Sequence, residues 1–136
     1  MKIWYGYSSE HSMNLVMIGE FKEESDAAKA KQIIDWLTEQ VNADVHDNLL
    51  EVGNPPRRYT DRMLDLLRKV DVFIIGPTEM EQFAYDVSVR VEGNKVVLTT
   101  DESDVSAFAK VLLDQGARVE MYSAHRHPDT GHGRGQ

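Results

Sequence analysis

The stretch from Tyr85 to Thr100 constrains the fold more than any other part of the chain. In YDVSVRVE, Val87, Val89 and Val91 alternate with Asp86, Ser88, Arg90 and Glu92, the period of a strand with one buried face. Gly93 and Asn94 follow, both tolerant of positive φ, and KVVLTT resumes the extended pattern at once. Two such runs joined by two such residues predict a tight hairpin. The hairpin forces antiparallel pairing in the middle of the chain and sets its register locally.

A hairpin needs further strands to complete a sheet. After it, Ser103 is placed to cap a helix near 104–115, in which Val105, Phe108, Ala109 and Leu112 recur at helical spacing and which Gly116 ends. Val119 and Met121 then alternate with Arg118, Glu120 and Tyr122, a strand at 118–122. Before the hairpin, extended runs at 2–7 and 14–21 flank a polar break around His11, with Gly19 either a bulge or a point of close approach. Ser25 precedes a helix over 26–42 with Ala30, Ile33, Ile34, Leu37 and Val41 on one face and Trp36 beside that stripe. Thr60 caps a second helix, 60–69, whose apolar face is Met63, Leu64, Leu67 and Val70. DVFIIG at 71–76 reads as a short buried strand stopped by Pro77, and Thr78 with Glu81 has capping-box spacing for one more helical turn.

The order strand 14–21, helix 26–42, hairpin 85–100, helix 104–115, strand 118–122 resembles that of ferredoxin-like domains, the split βαβ arrangement. The resemblance implies an α+β two-layer sandwich with an extra N-terminal strand at 2–7. Residues from about Asp44 to Met80 then form a helix-containing insertion. The competing architecture is a three-layer, mostly parallel sheet with 60–69 and 71–76 as an ordinary crossover unit; the hairpin favours the first. Element order carries no residue motif, so no catalytic role is transferred from the resemblance.

At 136 residues the chain has the length of one domain, here 1–124, followed by a flexible polar tail, 125–136 (HRHPDTGHGRGQ), too poor in apolar residues to pack. Its 23 acidic residues against 15 Lys and Arg leave a net charge of −8, which argues against a nucleic-acid contact surface. The absence of cysteine excludes disulfides, thiolate nucleophiles and Cys-ligated metal. With neither a secretory leader nor a spanning segment in the pattern, the expectation is a cytoplasmic protein without membrane association.

Four sets of side chains are candidates for chemistry. Glu10 and His11, among Ser8, Ser9 and Ser12, hold the ingredients of a nucleophilic site, although adjacent residues rarely converge and a solvated turn explains the same letters. His125, His127, Asp129 and His132 are possible metal-ligand types without structural-zinc spacing, so no metal is assigned. Glu79, Glu81 and Asp86 near Tyr85, with Asp101, Glu102 and Asp104 ahead of the last helix, could converge as acid–base groups, but capping of helix N-termini accounts for them. Trp4 and Tyr5 form an aromatic surface on strand 2–7, suited either to core or to an interface.

No catalytic residue and no cofactor follow from these patterns. The leading expectation is an acidic protein-binding or regulatory module, inhibitor- or immunity-like, contacting a protein partner, with Trp4, Tyr5, Glu10, His11, Arg58 and Tyr59 as contact residues. A homodimer is also expected, through a sheet edge or strand 2–7, where Trp4 or Tyr5 meets its own copy at a two-fold axis. The alternative is a small-molecule-binding enzyme with a cleft between the sheet and insertion 44–80, rimmed by Glu10, His11, Arg58 and Tyr59.

Overall fold

The computed structural model describes residues 15–123. The expected strand 2–7, the tail 125–136 and the residues Trp4, Tyr5, Glu10 and His11 lie outside the described residues. Within them the chain is a mixed α/β fold with a four-stranded antiparallel sheet. Strand β1 (Leu15–Glu20) leads to helix α1 (Glu24–His46), then α2 (Asp61–Val70) and a 3₁₀ helix (Pro77–Ala84). Strands β2 (Val87–Glu92) and β3 (Lys95–Thr100), helix α3 (Ser106–Asp114) and strand β4 (Arg118–Ser123) complete the order.

The hairpin forms as the alternation predicts. Glu92 pairs with Lys95 across the turn, and Gly93 at φ 63° occupies the first central position, a backbone conformation that glycine adopts without a Cβ clash. The Asn94 side chain donates to the Phe21 carbonyl at 2.6 Å, while the Phe21 N–H donates to the Asn94 carbonyl at 2.8 Å, so the turn is tied to the end of β1. The sheet order is β2-β3-β1-β4, and every pairing is antiparallel. This overturns the competing parallel architecture.

One face of the sheet carries Met17, Leu98, Val96, Val89 and Met121 into the core, where they meet the buried stripe Ala27, Ala30, Ile33, Ile34, Leu37 and Val41 of α1 and Ala107, Phe108, Val111 and Leu112 of α3. Gly19 is a point of close approach: a Cβ there would stand 3.0 Å from Leu112 Cδ1 and 3.3 Å from Ala117 Cβ. Absence of a side chain lets α3 and its exit settle onto β1. Gly116, at φ 97°, ends α3, and the Ala117 N–H closes the last turn on the Leu112 carbonyl at 3.0 Å.

Three local expectations are corrected. Helix α1 begins after Glu23, so Ser25 lies inside its first turn instead of preceding it, and the helix runs on to His46, past the expected end at 42. The residue at the N-cap of α3 is Val105 and its side chain makes no cap bond, so neither does Ser103 cap that helix. No strand forms over 71–76. Asp71 turns out of α2 in the left-handed region at φ 60°, and burial then falls on Val72 and Ile75, three residues apart, leaving Phe73 and Ile74 exposed. A strand would alternate.

The insertion packs α2 against α1 and is pinned by non-local polar contacts. Thr60 caps α2 as expected, accepting from the Met63 N–H at 3.0 Å. Its hydroxyl donates to Asp44 Oδ2 at 2.7 Å, while Asp44 Oδ1 accepts from Arg62 Nε at 3.0 Å, Arg62 Nη2 at 2.8 Å and Gln40 Nε2 at 3.0 Å. Asp44 is fully buried, and these four bonds supply what water would have given its carboxylate.

Candidate binding site

A cavity of about 210 Å³ opens between α1, the end of the 3₁₀ helix and the sheet edge at β2. Its lining follows from the periodicities of the elements. Ile34, Asp35 and Thr38 come from adjacent turns of α1, where the buried stripe gives way to polar residues. Val87 and Val89 are the inward residues of β2, and Phe83 and Phe108 form the floor, their ring centroids 4.8 Å apart and tilted by 55°. Tyr85, the C-cap of the 3₁₀ helix, completes the rim. The volume is below the roughly 300–1,000 Å³ of drug-sized ligand sites, and suits one long side chain.

The rim is acidic. Asp35 Oδ2 accepts from Lys31 at 2.7 Å in an ion pair with both side chains partly exposed, which leaves the carboxylate accessible. Tyr85 donates its hydroxyl to Glu81 Oε2 at 2.9 Å. Burial foremost, then that bond and the charges of Glu81, Asp104 and Glu102, push the Tyr85 phenol up to about 12. It remains a neutral donor, and negative charge gathers around it.

Beside the cavity, the acidic residues of the third sequence set partly converge, in structural roles. Glu79 Oε1 accepts from the Gly76 N–H at 2.9 Å and from Lys110 Nζ at 2.8 Å, and Glu79 Oε2 accepts from the Ser106 hydroxyl at 2.8 Å. Burial would raise the Glu79 pKa, but Lys110, the Gly76 N–H and Ser106 together outweigh it and hold the carboxyl below its ordinary 4.5. Gln82, only 2% exposed, accepts from the Ala107 N–H at 2.7 Å and donates to Asp104 Oδ1 at 3.0 Å and to Ser106 Oγ at 3.1 Å. It is thus the cap of α3, supplied from another element. Asp86, Asp101 and Glu102 are exposed.

Of the contact residues expected from sequence, Arg58 is exposed and Tyr59 is half-buried, with its hydroxyl donating to the Ile75 carbonyl at 2.5 Å. Neither lines the cavity. Asp35 and Thr38 escaped the sequence reading; their signal was the appearance of polar residues at the margin of the α1 stripe. A second, larger groove of about 480 Å³ runs between α1 and α2, lined by Trp36, Glu39, Gln40, Ala43, Leu66 and Lys69. Its lining carries one charge of each sign, Glu39 and Lys69. Among the described residues, no group of three or more His, Asp or Glu side chains is placed to hold a metal ion, and no helix is long and apolar enough to cross a membrane.

Fold and site together define a mixed α/β domain with an antiparallel sheet and a small cavity at one sheet edge, with the Asp35 carboxylate on its rim. The chain belongs to the family described as a family of unknown function, DUF6375, whose model matches residues 1–134. No curated protein and no solved structure matches it.

Proposed function

We propose that this chain is a protein-binding module of ferredoxin-like, two-layer topology that recognises a basic side chain of its partner in the cavity between α1 and β2. The observation that carries the reading is the combination of an apolar floor, Phe83, Phe108 and the β2 valines, with a rim of Asp35, Thr38 and Tyr85. Apolar walls accept the methylene stem of a lysine or arginine, and a carboxylate at the mouth pairs with its cation. The size of the cavity favours a side chain over a cofactor, and the net charge of −8 steers a basic partner toward the molecule.

The test is a random peptide library displayed on phage and panned against the wild type and Asp35→Lys. Wild type should enrich lysine- or arginine-containing sequences, and the variant should lose that enrichment. Sequences indifferent to charge, or the same basic set on both proteins, would sink the reading. Asp35 is partly exposed and its ion pair with Lys31 is an i, i+4 surface contact, so the variant should remain folded.

A further inference from the structure

Strand β2 is an edge: it pairs with β3 on one side, and among the described residues no strand pairs with it on the other. Its six residues contain no proline. The charges it carries, Arg90 and Glu92, are paired with each other and share the face opposite the valines. On the helix-facing side there is no inward charge to repel an added strand, the usual protection of a long edge. Val87 and Val89 are half-buried and Val91 is 37% exposed, although all three point to the core side of the sheet. The helical layer therefore covers β2 only in part, and the cavity opens beside its valines.

We propose that this edge takes up an extended segment of the partner by strand addition, with one basic side chain of the segment entering the cavity beside Val87 and Val89. The inference rests on the preceding reading of the cavity and adds the backbone mode of recognition. An added strand presents alternate side chains to the helix side, in line with the β2 valines, and the others to the opposite face. Main-chain bonds to β2 hold the segment, while the cavity selects the residue at one inward position. A second copy of this chain fits poorly as the occupant. The one cation of its β2, Arg90, lies on the face away from the cavity, its inward residues are valines, and each copy brings a net charge of −8. The occupant is instead a segment of a basic partner, β-branched at flanking positions, with lysine or arginine at the inward one.

The experiment uses the full ¹⁵N-labelled chain and the capped heptapeptide TVTRTVT. Nuclear magnetic resonance should show alternate β2 amides slowed in hydrogen exchange by about tenfold or more when the peptide is bound. Two N-methylated versions of the peptide, blocked on alternate edges, separate strand addition from side-chain capture: methylation on one edge should abolish binding and on the other leave it intact. Replacing the arginine by citrulline should weaken binding about tenfold, as should Asp35→Asn. Ethylguanidinium alone tests the cavity. If it shifts the Thr38 and Tyr85 signals while the peptide leaves β2 exchange unchanged, strand addition is overturned and the cavity reading stands. If neither probe binds, both are overturned. Equal binding of the two methylated peptides overturns strand addition, as does slowing of β2 amides with protein concentration alone, which would assign the edge to a second copy.

Discussion

Replacing Gln82 should destabilise the domain far more than its polar character suggests. The Ala107 N–H belongs to the first turn of α3, where no intrahelical carbonyl can reach it, and Ala107 is fully buried. Its acceptor is Gln82 Oε1 at 2.7 Å. In Gln82→Met the side-chain volume is nearly kept while the acceptor is lost together with the amide's bonds to Asp104 and Ser106, so the variant separates the loss of hydrogen bonds from the cavity that truncation to alanine would add. A buried donor left unpaired costs about 1–3 kcal/mol, and loss of a helix cap costs about 0.5–2 kcal/mol by a separate route to the same quantity. The expectation for Gln82→Met is about 2 kcal/mol. Gln82→Ala should lose about 1 kcal/mol more, because the buried stem is removed as well. For a domain of this length, 2 kcal/mol corresponds to a fall of about 6–10 °C in thermal midpoint. Urea denaturation measures the loss, and amide exchange at Ala107 locates it. A Gln82→Met variant within about 0.5 kcal/mol of the wild type would refute the argument that this side chain caps α3.

Leu37→Ala should lose about 2–5 kcal/mol in urea denaturation, because Leu37 is wholly buried in the α1 stripe, whereas the exposed Glu39→Ala should leave the midpoint nearly unchanged. Equal midpoints would mean that the helix presents another face. Asp44→Ala should cost about 3 kcal/mol, since it removes the buried carboxylate that accepts four hydrogen bonds; a midpoint close to wild type in calorimetry would deny that network a part in docking α2. The Glu79 carboxyl has a lowered pKa in the folded state, so its contribution is present above its ordinary 4.5 and is lost as pH falls through the folded value. Stability measured from about pH 6 down to about pH 3 should accordingly fall less steeply in Glu79→Gln than in the wild type, and identical slopes would contradict the assignment.

The sequence by itself determined what neighbouring residues settle among themselves. The Gly93-Asn94 turn and the flanking alternation placed β2 against β3 in register, because a two-residue connection leaves antiparallel pairing as its outcome. Spacing marked the buried face of α1, Thr60 marked the start of α2, and Gly116 marked the end of α3, each through contacts within a turn or two. Tertiary structure decided the rest. Whether DVFIIG became a strand depended on finding an edge to pair with; it packs instead through Val72 and Ile75. The cap of α3 lies 25 residues from the N–H it satisfies, beyond any local capping signature. Of the candidate site, the sequence marked the β2 valines as a buried face and Tyr85 as a neighbour of acidic capping residues, while Asp35 and Thr38 acquired their meaning when strand order placed β2 at an edge next to α1. A cavity is the space left between elements, so its position is set by how they pack, and no periodicity within one element records it.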